Sequence, residues 1–88
     1  MSFLTGSQLR AARALLGWSA SVVQAQTGVA VSTISIFENS DGTTGHRRTW
    51  DTLQAAFEAA GVVFLDPDPA QGLGPGVRVK ADRPIDSE

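Results

Sequence analysis

Val29-Ala30-Val31-Ser32-Thr33-Ile34-Ser35-Ile36-Phe37 is the stretch on which the fold turns. Its many β-branched residues favour a strand by propensity alone. At helical period, however, Ile34 and Phe37 share a face with Ala30, while Val31, Ser32, Ser35, Ile36 and Asn39 line the opposite one. A strand here would sit between helical segments with no obvious pairing partner. Tertiary packing can override single-residue preference, so the stretch is read as a helix.

The segments before it support that choice. Thr5-Gly6-Ser7-Gln8 has the spacing of a capping box with Thr5 as N-cap, and Ser7 is an alternative cap. Leu9, Ala12 and Leu16 then recur at helical spacing up to Gly17, which predicts a helix over Gly6–Leu16. Trp18 precedes Ser19, a good N-cap, and is placed to pack back as a hydrophobic staple. Residues 19–27 read as a second short helix, with Val22 and Val23 inward and Gly28 as its stop.

Residues 39–45 are rich in Asn, Asp, Gly and Thr and read as a loop. Residues 48–60 form the strongest helical pattern, with Leu53, Ala56, Phe57 and Ala60 on one stripe and Trp50 a turn ahead. Val62–Leu65 reads as a short strand. Residues 77–80 alternate as a second, and a loose Pro- and Gly-rich connection joins the two into a hairpin. The predicted class is therefore mainly α: four or five short helices with a helix-turn-helix core, plus a small C-terminal β-hairpin. Residues 1–65 form the helical domain, 66–80 complete the hairpin, and 81–88 read as a disordered tail.

Eighty-eight residues suffice for one domain with a modest core, which would gain from a partner subunit. Cysteine is absent, so neither a disulfide framework nor a thiolate metal site is available. The longest apolar run, Val62–Leu65, is far too short to cross a bilayer, and the first residues lack the features of a secretory signal. A cytoplasmic protein without membrane contact is expected. His46 is the one histidine, with no Asp or Glu at i+3 or i+4. No serine has a nucleophile-elbow setting, so neither a metal, a cofactor nor an enzymatic activity is expected. The net charge is −2, which does not favour an acidic partner. Residues 1–65 are neutral, however: Arg10, Arg13, Arg47 and Arg48 balance Glu38, Asp41, Asp51 and Glu58. The acidity belongs to the tail.

Two short helices joined through Gly28 and followed by an amphipathic third element suggest a helix-turn-helix unit. Residues 8–65 resemble the Cro/repressor-type helix-turn-helix family, also called the XRE family. The resemblance is carried by Leu9 through Ser19 (LRAARALLGWS), Gly28-Val29, Ser32-Thr33-Ile34, Phe37-Glu38-Asn39 and Leu53 through Val62 (LQAAFEAAGV). The ending, Phe64-Leu65 through Gly74-Pro75-Gly76-Val77-Arg78-Val79, is similar to a bacterial subgroup with a C-terminal hairpin.

The resemblance implies a sequence-specific regulator of transcription that binds double-stranded DNA, a repressor acting as a homodimer. It also implies an ion pair between Arg13 late in the first helix and Glu38 late in the recognition helix, structural in role. The third helix would enter the major groove, offering Val31, Ser32, Thr33, Ser35 and Ile36 to base edges. His46, Arg47 and Arg48, at a loop-to-helix junction with free backbone N–H groups, are the phosphate candidates. Asn39, Thr43 and Thr44 add neutral hydrogen bonds, and Arg10 is a further candidate. Four positions depart from the family's pattern. Ala20 stands where glutamine is usual, Ala30 where a cap-competent residue is common, and Val31 and Ile36 where polar side chains are common. The apolar residues on that face fit an alternative, a protein-interaction module on the same fold, antirepressor-like or antitoxin-like.

Overall fold

Residues 4–40 and 45–81 are described by the computed structural model. In chain order they form α1 (Gly6–Leu16), α2 (Ala20–Thr27), α3 (Val31–Glu38), α4 (Arg47–Ala59), β1 (Val62–Leu65) and β2 (Gly76–Val79). The class is mainly helical with a small C-terminal antiparallel sheet, as the sequence predicts.

Local chemistry sets the helix ends. Thr5 is the cap of α1: its Oγ1 accepts from the Gln8 N–H at 3.1 Å, and Gln8 Oε1 accepts from the Thr5 N–H at 2.9 Å. Ser19 caps α2 by accepting from the Val22 N–H at 3.2 Å. The segment 31–38 is helical despite its β-branched content, because Ile34 and Phe37 are buried among α1, α2 and α4.

The core gathers Leu9, Ala12 and Leu16 of α1, Val23 of α2, Ile34 and Phe37 of α3, and Trp50, Leu53 and Phe57 of α4. Aromatic rings tie the helices together. Phe37 meets Trp50 at 4.7 Å, Trp18 meets Phe57 at 5.5 Å, and Phe57 meets Phe64 edge-on at 6.3 Å. Two details differ from the sequence reading. Val22 is exposed, because it sits a quarter turn or so around α2 from Val23, which alone fills the core from that helix. Ala30 is also exposed, since it precedes α3 and does not extend its buried stripe.

The strands pair with Val62 opposite Val79 and Phe64 opposite Val77, so these four side chains face the helices. The second strand runs one residue earlier than expected, although the Lys80 N–H still reaches the Gly61 carbonyl at 2.8 Å. The connection is built rather than loose. Asp68 and Leu73 exchange backbone hydrogen bonds of 2.8 and 3.0 Å, and Gln71 Nε2 donates to Asp68 Oδ2 at 2.7 Å. Within the monomer this hairpin covers the core. The buried Gln8 amide pins it to α1, donating to the Gly76 carbonyl at 3.0 Å and the Leu65 carbonyl at 3.3 Å. The predicted disordered tail lies, from residue 82 onward, outside the described residues. Among the described residues no single helix is long and apolar enough to cross a membrane.

Where α1 begins, α3 ends. The Gly6 N–H donates to the Ser40 carbonyl at 3.0 Å. A Cβ on Gly6 would lie 2.3 Å from the Glu38 oxygen and 2.4 Å from the Ser40 oxygen, both backbone atoms. Gly6→Ala should therefore force the two helix ends apart and cost about 1–3 kcal/mol. At Gly74, where nothing lies within 4 Å of the built Cβ, alanine should leave the thermal midpoint unchanged. Thermal unfolding followed by circular dichroism compares the two, and equal midpoints would refute the packing argument.

Candidate nucleic-acid interface

Three residues, Gly28, Val29 and Ala30, separate α2 from α3, and the axis turns through 112° between them. Both the turn length and the angle fit the helix-turn-helix motif. Gly28 makes the turn possible because it adopts φ +80°, a left-handed conformation unfavourable to other residues. Thr27 supports it, with Oγ1 donating to the Val23 carbonyl at 2.7 Å and accepting from the Val29 N–H at 3.0 Å.

The third helix has one face inside and one outside. Ile34, Phe37 and Glu38 are buried. Val31, Ser32, Ser35 and Ile36 are exposed, Thr33 is half-buried, and Asn39 continues the outer stripe past the helix end. Ile36 is 57% exposed, which leaves most of a large aliphatic side chain in water. The structure thus groups the predicted base-contacting residues on one accessible surface, with Thr33 at its margin.

Glu38 is the buried charge beneath this surface, and Arg13 meets it with a two-pronged fork. Arg13 Nε donates to Oε2 at 2.6 Å and an Nη to Oε1 at 2.9 Å. A further Nη reaches the Trp18 carbonyl at 3.3 Å. The hydrogen bond to Glu38 raises the Arg13 pKa above its ordinary value, burial lowers it, and the carboxylate's charge raises it again. A raised pKa means that Arg13's own contribution is complete below its unfolded value and is lost only as pH climbs past the folded one. The guanidinium therefore stays charged at physiological pH. Arg10, a further phosphate candidate by sequence, is engaged at the same helix end. It donates to the Glu38 carbonyl and to Ser7 Oγ, so one end of α3 is held by two arginines from α1.

The phosphate candidates occupy a separate element. His46 is the N-cap of α4 and makes no side-chain cap bond, while Arg47 and Arg48 fill the first turn. Together with Thr49 they line an open cleft. Arg47 Nε pairs with Asp51 Oδ1 one turn on at 3.1 Å, whereas Arg48 is exposed. Two cations at the positive end of a helix dipole oppose local stability, and an anion there would relieve that repulsion. Asn39 is exposed, and its Nδ2 donates back to the Ser35 carbonyl at 2.9 Å. Thr43 and Thr44 lie outside the described residues.

One side chain that shapes this face is not marked by its own position in the sequence. Ala30 provides no side-chain cap for α3. Instead, Gln24 Oε1 accepts from the Val31 N–H at 2.8 Å across the turn. A glutamine in the exposed middle of a helix reads as a solvated position, and only the 112° turn brings it to the next helix. The one indirect hint in the sequence is that Ala30 cannot cap α3, which leaves its first N–H groups to a more distant acceptor.

No family model, curated protein or solved structure matches this chain.

The Arg13–Glu38 fork yields a quantitative test. The Glu38 side chain is 8% exposed and that of Arg13 26%. Arg13→Met should leave a buried carboxylate unpaired and cost about 3 kcal/mol. Adding Glu38→Leu should recover most of that loss, because the stranded charge goes with it. Urea unfolding of the two variants decides the point. A double variant less stable than Arg13→Met would overturn this account.

Proposed function

We propose that this chain is a sequence-specific regulator of transcription that binds double-stranded DNA through α3, acting as a cytoplasmic homodimer of the Cro/repressor type. The observation that carries the reading is the α2–α3 turn of 112° combined with the one-sided burial of α3. Such a helix is held rigidly from behind and presents a continuous outer stripe of the size a major groove admits. Ser32 and Ser35 supply hydroxyls for base edges, and Val31 and Ile36 supply apolar surface for thymine methyl groups. Arg48, with Arg47 and His46, supplies the phosphate contacts that fix register. Two-fold pairing of subunits would set two such helices one DNA turn apart. The chain is a binding protein in this reading, and repression follows from occupancy of the site.

The exposure of Ile36 and Val31 favours a second reading, a protein partner docked on the same face. The two readings separate in one experiment. Selection from random duplexes at low, stated salt should enrich a two-fold symmetric sequence bound by a dimer. Arg47→Ala with Arg48→Ala should weaken binding to every duplex and reduce the salt slope by about 1–2 units. Ser32→Ala should change which bases are preferred and leave the slope alone. Failure to enrich any sequence would remove the DNA reading in favour of the protein partner.

A further inference from the structure

Gln24 acts on both sides of the turn that defines the motif. Its backbone carbonyl takes the Gly28 N–H at 2.8 Å and so closes α2. Its side-chain oxygen takes the Val31 N–H at 2.8 Å and so opens α3. The other described helices with a side-chain cap obtain it from the residue just before them, Thr5 for α1 and Ser19 for α2. Ala30 cannot do this for α3. A cap on the preceding residue would fix only the first turn of α3. A cap from within α2 also fixes how α3 leaves α2, because one side chain then spans the angle.

The amide orientation follows from the same bond. Only an oxygen can accept from a backbone N–H, so Nε2 is directed away from Val31. Gln24 is itself exposed, and the residue it holds, Val31, begins the outer stripe of α3. In a helix-turn-helix the N-terminal residues of the second helix contact base edges, so a small change of pitch at Val31 moves Val31 and Ser32 against the bases. Phosphate contacts from α4 are anchored elsewhere and would not follow.

We infer that Gln24 is a positioning residue for base readout. It sets the angle of the recognition helix and thereby the sequence preference, without touching DNA. The inference rests on the DNA-binding reading for its consequence, and on the Gln24–Val31 bond for its mechanism.

The two are tested side by side in the full chain. Amide exchange measured by NMR should show the Val31 N–H protected in the wild type, exposed in Gln24→Ala, and protected again in Gln24→Glu, which keeps an acceptor oxygen. For DNA, the duplex selected by the wild type and a scrambled duplex serve as probes. Gln24→Ala should lose about tenfold in preference for the selected duplex, the size of one mismatched base pair. Its binding to the scrambled duplex and its salt slope should stay unchanged. Ala30→Ser added to Gln24→Ala should restore folding stability through an ordinary cap but leave part of the preference unrecovered, because a cap from residue 30 does not span the angle. Equal protection of Val31 in wild type and Gln24→Ala would overturn the mechanism whatever happens with DNA. Parallel loss on both duplexes, or full recovery of preference by Ala30→Ser, would reduce Gln24 to an ordinary stabilising residue. A wild type without any preferred duplex would bring down the regulator reading and, with it, the role in readout.

Discussion

The fork between Arg13 and Glu38 is the interaction on which the rest of the structure depends. An eight-residue helix rich in β-branched side chains has little intrinsic stability in water. Its helical state is imposed from outside. At one end Arg13 holds the Glu38 carboxylate, Arg10 holds its carbonyl, and Gly6 lets the backbones meet. At the other end Gln24 receives the first N–H. Between them Ile34 and Phe37 sink into the core. With the ends and the inner face secured, the outer face is left free of structural duty.

Much of this was legible in the sequence, for reasons that can be named. The bounds of α1 follow from the reciprocal spacing of Thr5 and Gln8 and from Gly17, and those of α2 from Ser19 and Gly28. The reading of α3 against its own propensity rested on periodicity and on the lack of a strand partner. The buried face of Ile34 and Phe37 agrees with that reading. The Arg13–Glu38 pair came through family resemblance, since nothing in a spacing of 25 residues points to it. Hidden from the sequence were the side chains that bond to a distant backbone. Arg10 to Glu38, Gln24 to Val31 and Gln8 to Gly76 join atoms 28, 7 and 68 residues apart. A backbone N–H or carbonyl carries no residue-type signature, so no pattern announces such a bond. The same blindness made the hairpin connection look loose, because the Asp68–Leu73 pairing is made entirely of main-chain groups.

The charge distribution shapes how the proposed interface would work. The outer stripe of α3 carries no formal charge, and the basic candidates sit at the start of α4 and, as Arg10, on α1 beside Ser35 and Ile36. Under the proposed reading, attraction to phosphate and discrimination among bases would fall to different elements. Affinity would follow salt through the arginines, whereas sequence preference would follow the fit of hydroxyl and aliphatic groups on α3. An uncharged stripe also costs less to desolvate than a charged one, which suits contact with either thymine methyl groups or a protein surface.

The bond between Gln8 and the Gly76 carbonyl has a consequence for biosynthesis. Translation proceeds from the N-terminus, so α1 emerges early, whereas the strand that receives its buried amide is made 68 residues later. Until then Gln8 Nε2 lacks its Gly76 partner, and the core beneath the hairpin stays uncovered. The nascent chain therefore cannot complete the contact between α1 and the hairpin before β2 has cleared the ribosome. Closure of the hairpin over α1 thus follows the synthesis of β2.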